Sequence, residues 1–238
     1  MNKYILWDYY TSILPNAARH AIRLKRHGSH FPQAYRDTNS TYIHIPKTAG
    51  TSIALAIYKD KSIGHGHYPY HEFAREDLDF YNNSFKFAFV RNPWERLVSS
   101  YFYSSSPPAG VSNRTFLVSE YINSRADNFL DFVSLLSVDK RLQRWSHMLP
   151  QSNFIFNGDE LMVDFIGKFD KLNEDILLVA KSLKLNLDDV KIQHINKSKS
   201  RGHYSDFYDQ AAIDFVGDFY AKDIAAFGYD YSNNEVNE

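Results

Sequence analysis

The chain has 238 residues, a formal net charge of -1 and 44% hydrophobic residues, with 17 Tyr and 18 Phe and no Cys. That length and apolar content suit one large globular domain with ample aromatic material for a core. The missing cysteines exclude a disulfide framework and thiolate chemistry, and no nucleic-acid partner is expected.

The first fifteen residues hold apolar positions, but Asp8 interrupts them and no small-residue cleavage site follows. Neither a signal peptide nor a membrane-spanning helix is expected, and the chain reads as cytoplasmic and bacterial. Charge is uneven: residues 1–40 carry six basic side chains against two acidic, and residues 203–238 carry eight acidic against Lys222 alone. The basic start reads as a solvated helix face, with an acidic polymer or lipid surface as the alternative.

Residues 1–40 predict one or two short helices, with one from Asn16 to His27, in an N-terminal appendage. Residues 41–231 form the main domain and 232–238 a polar tail. The stretch from Tyr42 to Ile57, YIHIPKTAGTSIALAI, is its centre. Tyr42, Ile43 and Ile45 end a buried strand that Pro46 stops, Lys47-Thr48-Ala49-Gly50-Thr51-Ser52 is small and polar, and a helix is running by Ile53. A strand that turns through small residues into a helix presents backbone N–H groups to a phosphate. Gly50 allows a close backbone approach, Thr51 and Ser52 offer hydroxyls, and Lys47 adds a compact positive charge. This is not the usual nucleotide loop, which needs two glycines before Lys-Ser/Thr. The bland alternative is an ordinary β–α connection with a surface lysine.

Residues 61–72, KSIGHGHYPYHE, form a loop with three histidines, and 73–83 predict one short helix with a turn at Asn82-Asn83. Phe85 to Val90 reads as a second buried strand. Asn92 then suits an N-cap, Pro93 the first helical position, and Glu95 the far end of a capping box. Arg91 thus falls at the carboxyl end of a strand and Ser99 in the second turn of the next helix, where ligands of open parallel sheets bind. A polar loop spans 104–113, and core spacing predicts one helix from Phe116 to Val138. Met162 to Phe169 reads as a third strand, Asn173 as the cap of a helix to Leu183, residues 190–208 as a basic irregular stretch, and Asp209 to Ala226 as a last amphipathic helix. The fold class is α/β: a three-layer, P-loop-like parallel sheet flanked by helices.

IPKTAGTS followed by FVRNPWERLVSSY resembles the paired motifs of sulfotransferases that use 3′-phosphoadenosine 5′-phosphosulfate. The resemblance implies that Lys47 to Ser52 hold the 5′-phosphosulfate and that Arg91 and Ser99 hold the 3′-phosphate. GHGHYPYHEF is similar to the segment bearing the catalytic histidine in heparan sulfate 2-O-sulfotransferase, which maps that base to His67. DFIGKFDKL, NKS...HY..FY and Y..D...FGY are similar to bacterial carbohydrate sulfotransferases. The chain departs from the pattern in two places: Asp170 stands where Glu is expected, and the Arg-Lys-Gly triplet of cytosolic sulfotransferases is missing. The adenosine contacts are therefore sought in Lys197–Tyr204, with Lys199 and Arg201.

These residues suit in-line sulfuryl transfer, with His67 taking the acceptor proton and Lys47 neutralising the leaving oxygen. His65 is expected to orient His67 or touch the acceptor, and Arg144 to bind it. The resemblance implies a carbohydrate hydroxyl, of a polysaccharide or glycolipid, as the acceptor, and Arg19, Arg23, Arg141, Arg144, Lys199 and Arg201 could line a cleft for an anionic sugar. Zinc on His65, His67 and His71 is the rival reading of the histidine cluster, set against the lack of cysteine, and no metal is expected. Trp94, Ser100 and Tyr101 read as packing and His44 as a satisfied strand residue. Two other functions stay open: a metal-dependent nucleotide kinase or NTPase, and a non-catalytic nucleotide- or polyanion-binding module.

Overall fold

The computed structural model describes Ala18 and residues 28–64, 66–108, 110–192 and 202–231. The expected helix at Asn16–His27, His65, Lys199, Arg201 and the tail lie outside those residues, Ala18 excepted.

The sheet has three parallel strands: β1 (Ser40–Ile43), β2 (Phe85–Val90) and β5 (Phe165–Lys168), in the order β1-β2-β5. Tyr42 lies opposite Phe87, and Val90 opposite Lys168. The central strand is apolar at every position but Lys86 because a parallel strand between two neighbours is buried on both faces. Phe87, Ala88, Phe89 and Val90 are fully buried. A two-stranded antiparallel ribbon, β3 (Phe156–Asn157) with β4 (Glu160–Leu161), precedes β5.

Before the sheet lies α1 (Gln33–Asp37), whose buried Tyr35 donates its hydroxyl to the Tyr42 carbonyl at 2.8 Å. Helix α2 (Gly50–Tyr58) follows β1. The single helix expected over 73–83 is two, α3 (Tyr70–Glu76) and α4 (Leu78–Asn83), because the Asp77 carboxylate accepts the Phe80 N–H at 3.0 Å and restarts the helix. Helix α5 (Pro93–Ser105) leaves β2 under the Asn92 cap, with Pro93 in its first turn.

The helix expected from Phe116 to Val138 is also broken, into α6 (Asn113–Asn123) and α7 (Phe129–Val138). Asn128 accepts the Asp131 N–H at 3.0 Å, and the turn lets both helices bury Ile122, Phe129 and Phe132 in one cluster. Short helices α8 (Lys140–Gln143) and α9 (Ser152–Ile155) lead to the ribbon. Helix α10 (Leu172–Ser182) is not capped by Asn173. A 3-10 turn, Phe169–Lys171, runs straight into it, and its Asp175 carboxylate accepts the Lys168 N–H at 2.6 Å.

The last expected helix divides at Tyr220 into α11 (Gln210–Phe219) and α12 (Ala221–Phe227). Tyr220 donates its hydroxyl to the Met148 carbonyl at 2.7 Å, and the break turns Asp223 inward. One core cluster surrounds the sheet. A second joins α5, α7 and α11 through Leu97, Phe132 and Val216. Among the described residues, no helix is long and apolar enough to cross a membrane.

Candidate active site

The first corner follows β1. Lys47 and Ala49 both take left-handed backbone angles, φ 70° and φ 66°. For residues with a Cβ that conformation costs roughly 1–2 kcal/mol each, so the surroundings must impose it. One restraint is the buried Thr48 hydroxyl, which donates to the Ile45 carbonyl at 2.9 Å. Helix α2 starts at Gly50 behind Ala49, which has no side-chain acceptor for the first-turn N–H groups. A Cβ on Gly50 would lie 1.7 Å from Nε2 of His44, so only glycine fits there. Thr51 is half-buried and Ser52 buried.

The second corner follows β2. The side-chain amide of the buried Gln151 brackets the Arg91 peptide. Arg91 N–H donates to Oε1 at 2.9 Å, and Nε2 donates to the Arg91 carbonyl at 2.8 Å. The fully buried Asp223 carboxylate accepts the backbone N–H groups of Gln151 at 2.6 Å and Ser152 at 2.8 Å, anchoring the clamp. The Arg91 guanidinium lies over the Phe169 ring, 4.0 Å from its centroid, and donates from Nη1 to the Lys47 carbonyl at 3.2 Å. Its Nη2 pairs with the Glu95 carboxylate, and its buried Nε has no hydrogen-bond partner. Asn92 Oδ1 accepts the N–H groups of Trp94 and Glu95, as expected of a cap. The capping box does not close, because the Glu95 carboxylate turns to Arg91. Ser99, half-buried, stands one turn beyond Glu95 on α5.

His67 faces the first corner from the histidine loop, with φ 46°. Its Nδ1 lies 3.3 Å from the His44 carbonyl and its ring 4.4 Å from the His44 ring. A carbonyl oxygen has no proton to give, so Nδ1 must be the donor, and in the neutral ring the lone pair is on Nε2. The His67 edge meets His147 at 5.2 Å. His147 lies flat between Tyr103 (4.9 Å) and Trp145 (4.5 Å), and Lys47 Nζ lies 4.5 Å from the Tyr103 ring centroid. Lys47 and His67 thus border one aromatic stack. Arg96, fully buried, holds the stack by donating to the His147 and Leu149 carbonyls, and Ser100 donates to the His147 carbonyl at 3.0 Å.

Burial, reinforced by the Arg91 charge, lowers Lys47 to about 8. Burial, then the charges of Lys47 and Arg96 and the nearby His44, holds His147 down to about 3, so this ring is neutral. Trp94 is buried with its indole N–H on the Ile213 carbonyl, a packing role. Arg144 is exposed at the end of α8, and His71 is exposed beside Glu72. Among the described residues, no three His, Cys, Asp or Glu side chains are grouped to hold a metal ion.

The structure brings together Lys47 to Ser52, Arg91 and His67, with Ser99 in the second turn of α5, which starts two residues after Arg91. Sequence reasoning missed Tyr103, His147, Gln151, Phe169 and Asp223. Phe169 lies within DFIGKFDKL and Asp223 within Y..D...FGY, but neither pattern says what these side chains touch, and Tyr103, His147 and Gln151 lie in none of the quoted motifs; each reaches the site only through the fold. Residues 35–230 match the model of the Sulfotransferase family. The chain belongs to the sulfotransferase family. Comparison with curated proteins and with solved structures gave no match. Sulfuryl transfer is therefore the reaction class of this family domain, and the match spans both β–α corners and the histidine loop.

Proposed function

We propose that this sulfotransferase moves a sulfuryl group from 3′-phosphoadenosine 5′-phosphosulfate to a carbohydrate hydroxyl, with His67 as the general base. The observation that carries the reading is the union of the two corners: the lysine-bearing turn and the arginine-bearing strand end are hydrogen-bonded to each other, and Lys47 and His67 border the same stack, Lys47 at Tyr103 and His67 at His147. The donor supplies an activated sulfuryl group when bound. The first-turn N–H groups of α2 and the Lys47 ammonium suit its 5′ side, and Arg91 with Ser99 suits its 3′-phosphate.

His67 Nε2 accepts the proton of the acceptor hydroxyl as that oxygen bonds to sulfur and the bond from sulfur to the phosphate oxygen breaks. Lys47 neutralises the charge left on that oxygen. The stack of half-buried Tyr103 with buried His147 and Trp145 adds no competing charge.

His67→Ala tests the reading. Turnover of labelled donor, in a screen of sugar acceptors, should fall roughly 10²–10⁴-fold. Calorimetric binding of adenosine 3′,5′-bisphosphate should stay at the wild-type value. Unchanged turnover in the variant would remove the base from the reaction.

A further inference from the structure

Glu95 sits where a ligand anion would be expected. Its carboxylate is on Arg91 Nη2: Glu95 stands in the first turn of α5, four residues after Arg91, which precedes the cap, and one helical turn before Ser99. Arg91 does not need it for orientation. The Gln151 amide clamps the Arg91 peptide, Phe169 covers one face of the guanidinium, and the Lys47 carbonyl takes Nη1. The helix start does not depend on it as a cap, because Asn92 accepts the first-turn N–H groups; Glu95 adds only the favourable first-turn charge, which does not need the ion pair. Among the described residues Arg91 is the ion-pair partner of Glu95. Its side chain is 24% exposed, against 14% for Arg91, which leaves the carboxylate a path to water and the guanidinium little freedom to follow.

We propose that Glu95 is a displaceable counter-ion of the 3′-phosphate site: it neutralises Arg91 in the free enzyme and must turn to solvent when the donor or its bisphosphate product binds. The inference rests on the donor reading above. A phosphate and a carboxylate compete for the same guanidinium N–H, and like charges side by side oppose binding. Glu95 therefore weakens the hold on the product. It has no such effect on an adenine nucleotide without a 3′-phosphate, which leaves the ion pair intact.

The test is calorimetry at low ionic strength with adenosine 3′,5′-bisphosphate and adenosine 5′-monophosphate on the wild type, Glu95→Gln and the double variant Glu95→Gln with Arg91→Ala. Thermal melts would verify that each is folded. Glu95→Gln should bind the bisphosphate about tenfold more tightly, which corresponds to ~1.4 kcal/mol. Its affinity for the monophosphate should be unchanged, and the gain should vanish in the double variant. Equal or weaker bisphosphate binding by Glu95→Gln would make Glu95 a support for Arg91 and overturn the proposal while leaving the donor reading standing. Parallel tightening of both nucleotides would overturn it as well. If the wild type fails to bind the bisphosphate, the donor reading itself falls, and the counter-ion with it.

Discussion

Arg91 and Lys47, 44 positions apart in the chain, are joined by a hydrogen bond from the guanidinium Nη1 to the lysine carbonyl at 3.2 Å. The contact fixes the spacing between the two corners, and it explains part of the lysine's behaviour, since a fixed positive charge nearby lowers the Lys47 pKa. It also means that each corner can be tested through the other.

The first consequence concerns Arg91. Arg91→Ala removes the charge and the bond to the first corner, and should weaken binding of adenosine 3′,5′-bisphosphate by roughly 1.5–3 kcal/mol, the range for hydrogen bonds to charged groups. Arg91→Lys should recover little of this, because an ammonium lacks the planar fork and the stacking on Phe169. Isothermal calorimetry on the three proteins gives the ranking; a lysine variant equal to wild type would contradict it.

The second concerns pH. Lys47 loses its proton at about 8 in the free protein. Its ammonium is present below that pH and lost above it, so kcat/KM should decline as pH rises through about 8. A bound phosphate beside Lys47 favours the charged form and raises its pKa, so the corresponding limb of kcat should lie at higher pH. Initial-rate profiles from pH 6 to 10 measure both limbs, and coincident limbs would argue against a lysine next to the donor.

Gly50→Ala puts a methyl where His44 stands. The ring cannot move away easily, because its Nδ1 is bonded to the Gly64 carbonyl at 2.6 Å and it also packs on His67. Overpacking of this kind costs roughly 1–3 kcal/mol. The urea midpoint should fall accordingly, and turnover should drop further than stability alone explains, because His67 is displaced with His44. A variant with wild-type midpoint and rate would show that the contact is soft.

The Gln151 clamp can be probed through stability. Gln151→Leu leaves the Arg91 N–H and carbonyl without their partners, and Asp223→Ala strands two buried N–H groups. Each buried group left unpaired costs roughly 1–3 kcal/mol, so both variants should lose several kcal/mol in denaturant titrations. Gln151→Leu should also weaken bisphosphate binding, since it frees the Arg91 backbone. Bisphosphate affinity equal to wild type in a folded Gln151→Leu would mean that the strand alone positions the arginine.

Local pattern was enough for the two corners. Phe85 to Val90 is unbroken apolar sequence, as a strand buried on both faces requires, and Asn92-Pro93 marks the helix start after it. IPKTAGTS places a turn of small residues between a strand and a helix, and that grammar is readable without neighbours. Helix breaks were not readable in the same way. No Gly or Pro lies between α6 and α7, and at the kink the one such residue, Gly217, stands three positions before Tyr220 inside α11. The breaks come from side chains with distant or capping partners: Asn128 on Asp131, Tyr220 on the Met148 carbonyl.

The sequence by itself determined the α/β class, the order of the two β–α corners and the bounds of the central strand, because these depend on neighbours within a few positions; the first strand, expected to reach Ile45, ends at Ile43, and the third, expected over Met162 to Phe169, spans Phe165–Lys168. Only the tertiary structure decided that Arg91 would be gripped by Gln151 and Asp223, covered by Phe169 and paired with Glu95, and that His147 would stand neutral between Tyr103 and Trp145 at the edge of His67. The reason is physical: the burial that removes the charge from His147 and lowers the pKa of Lys47 comes from segments far apart in the chain, and it exists only once they have packed.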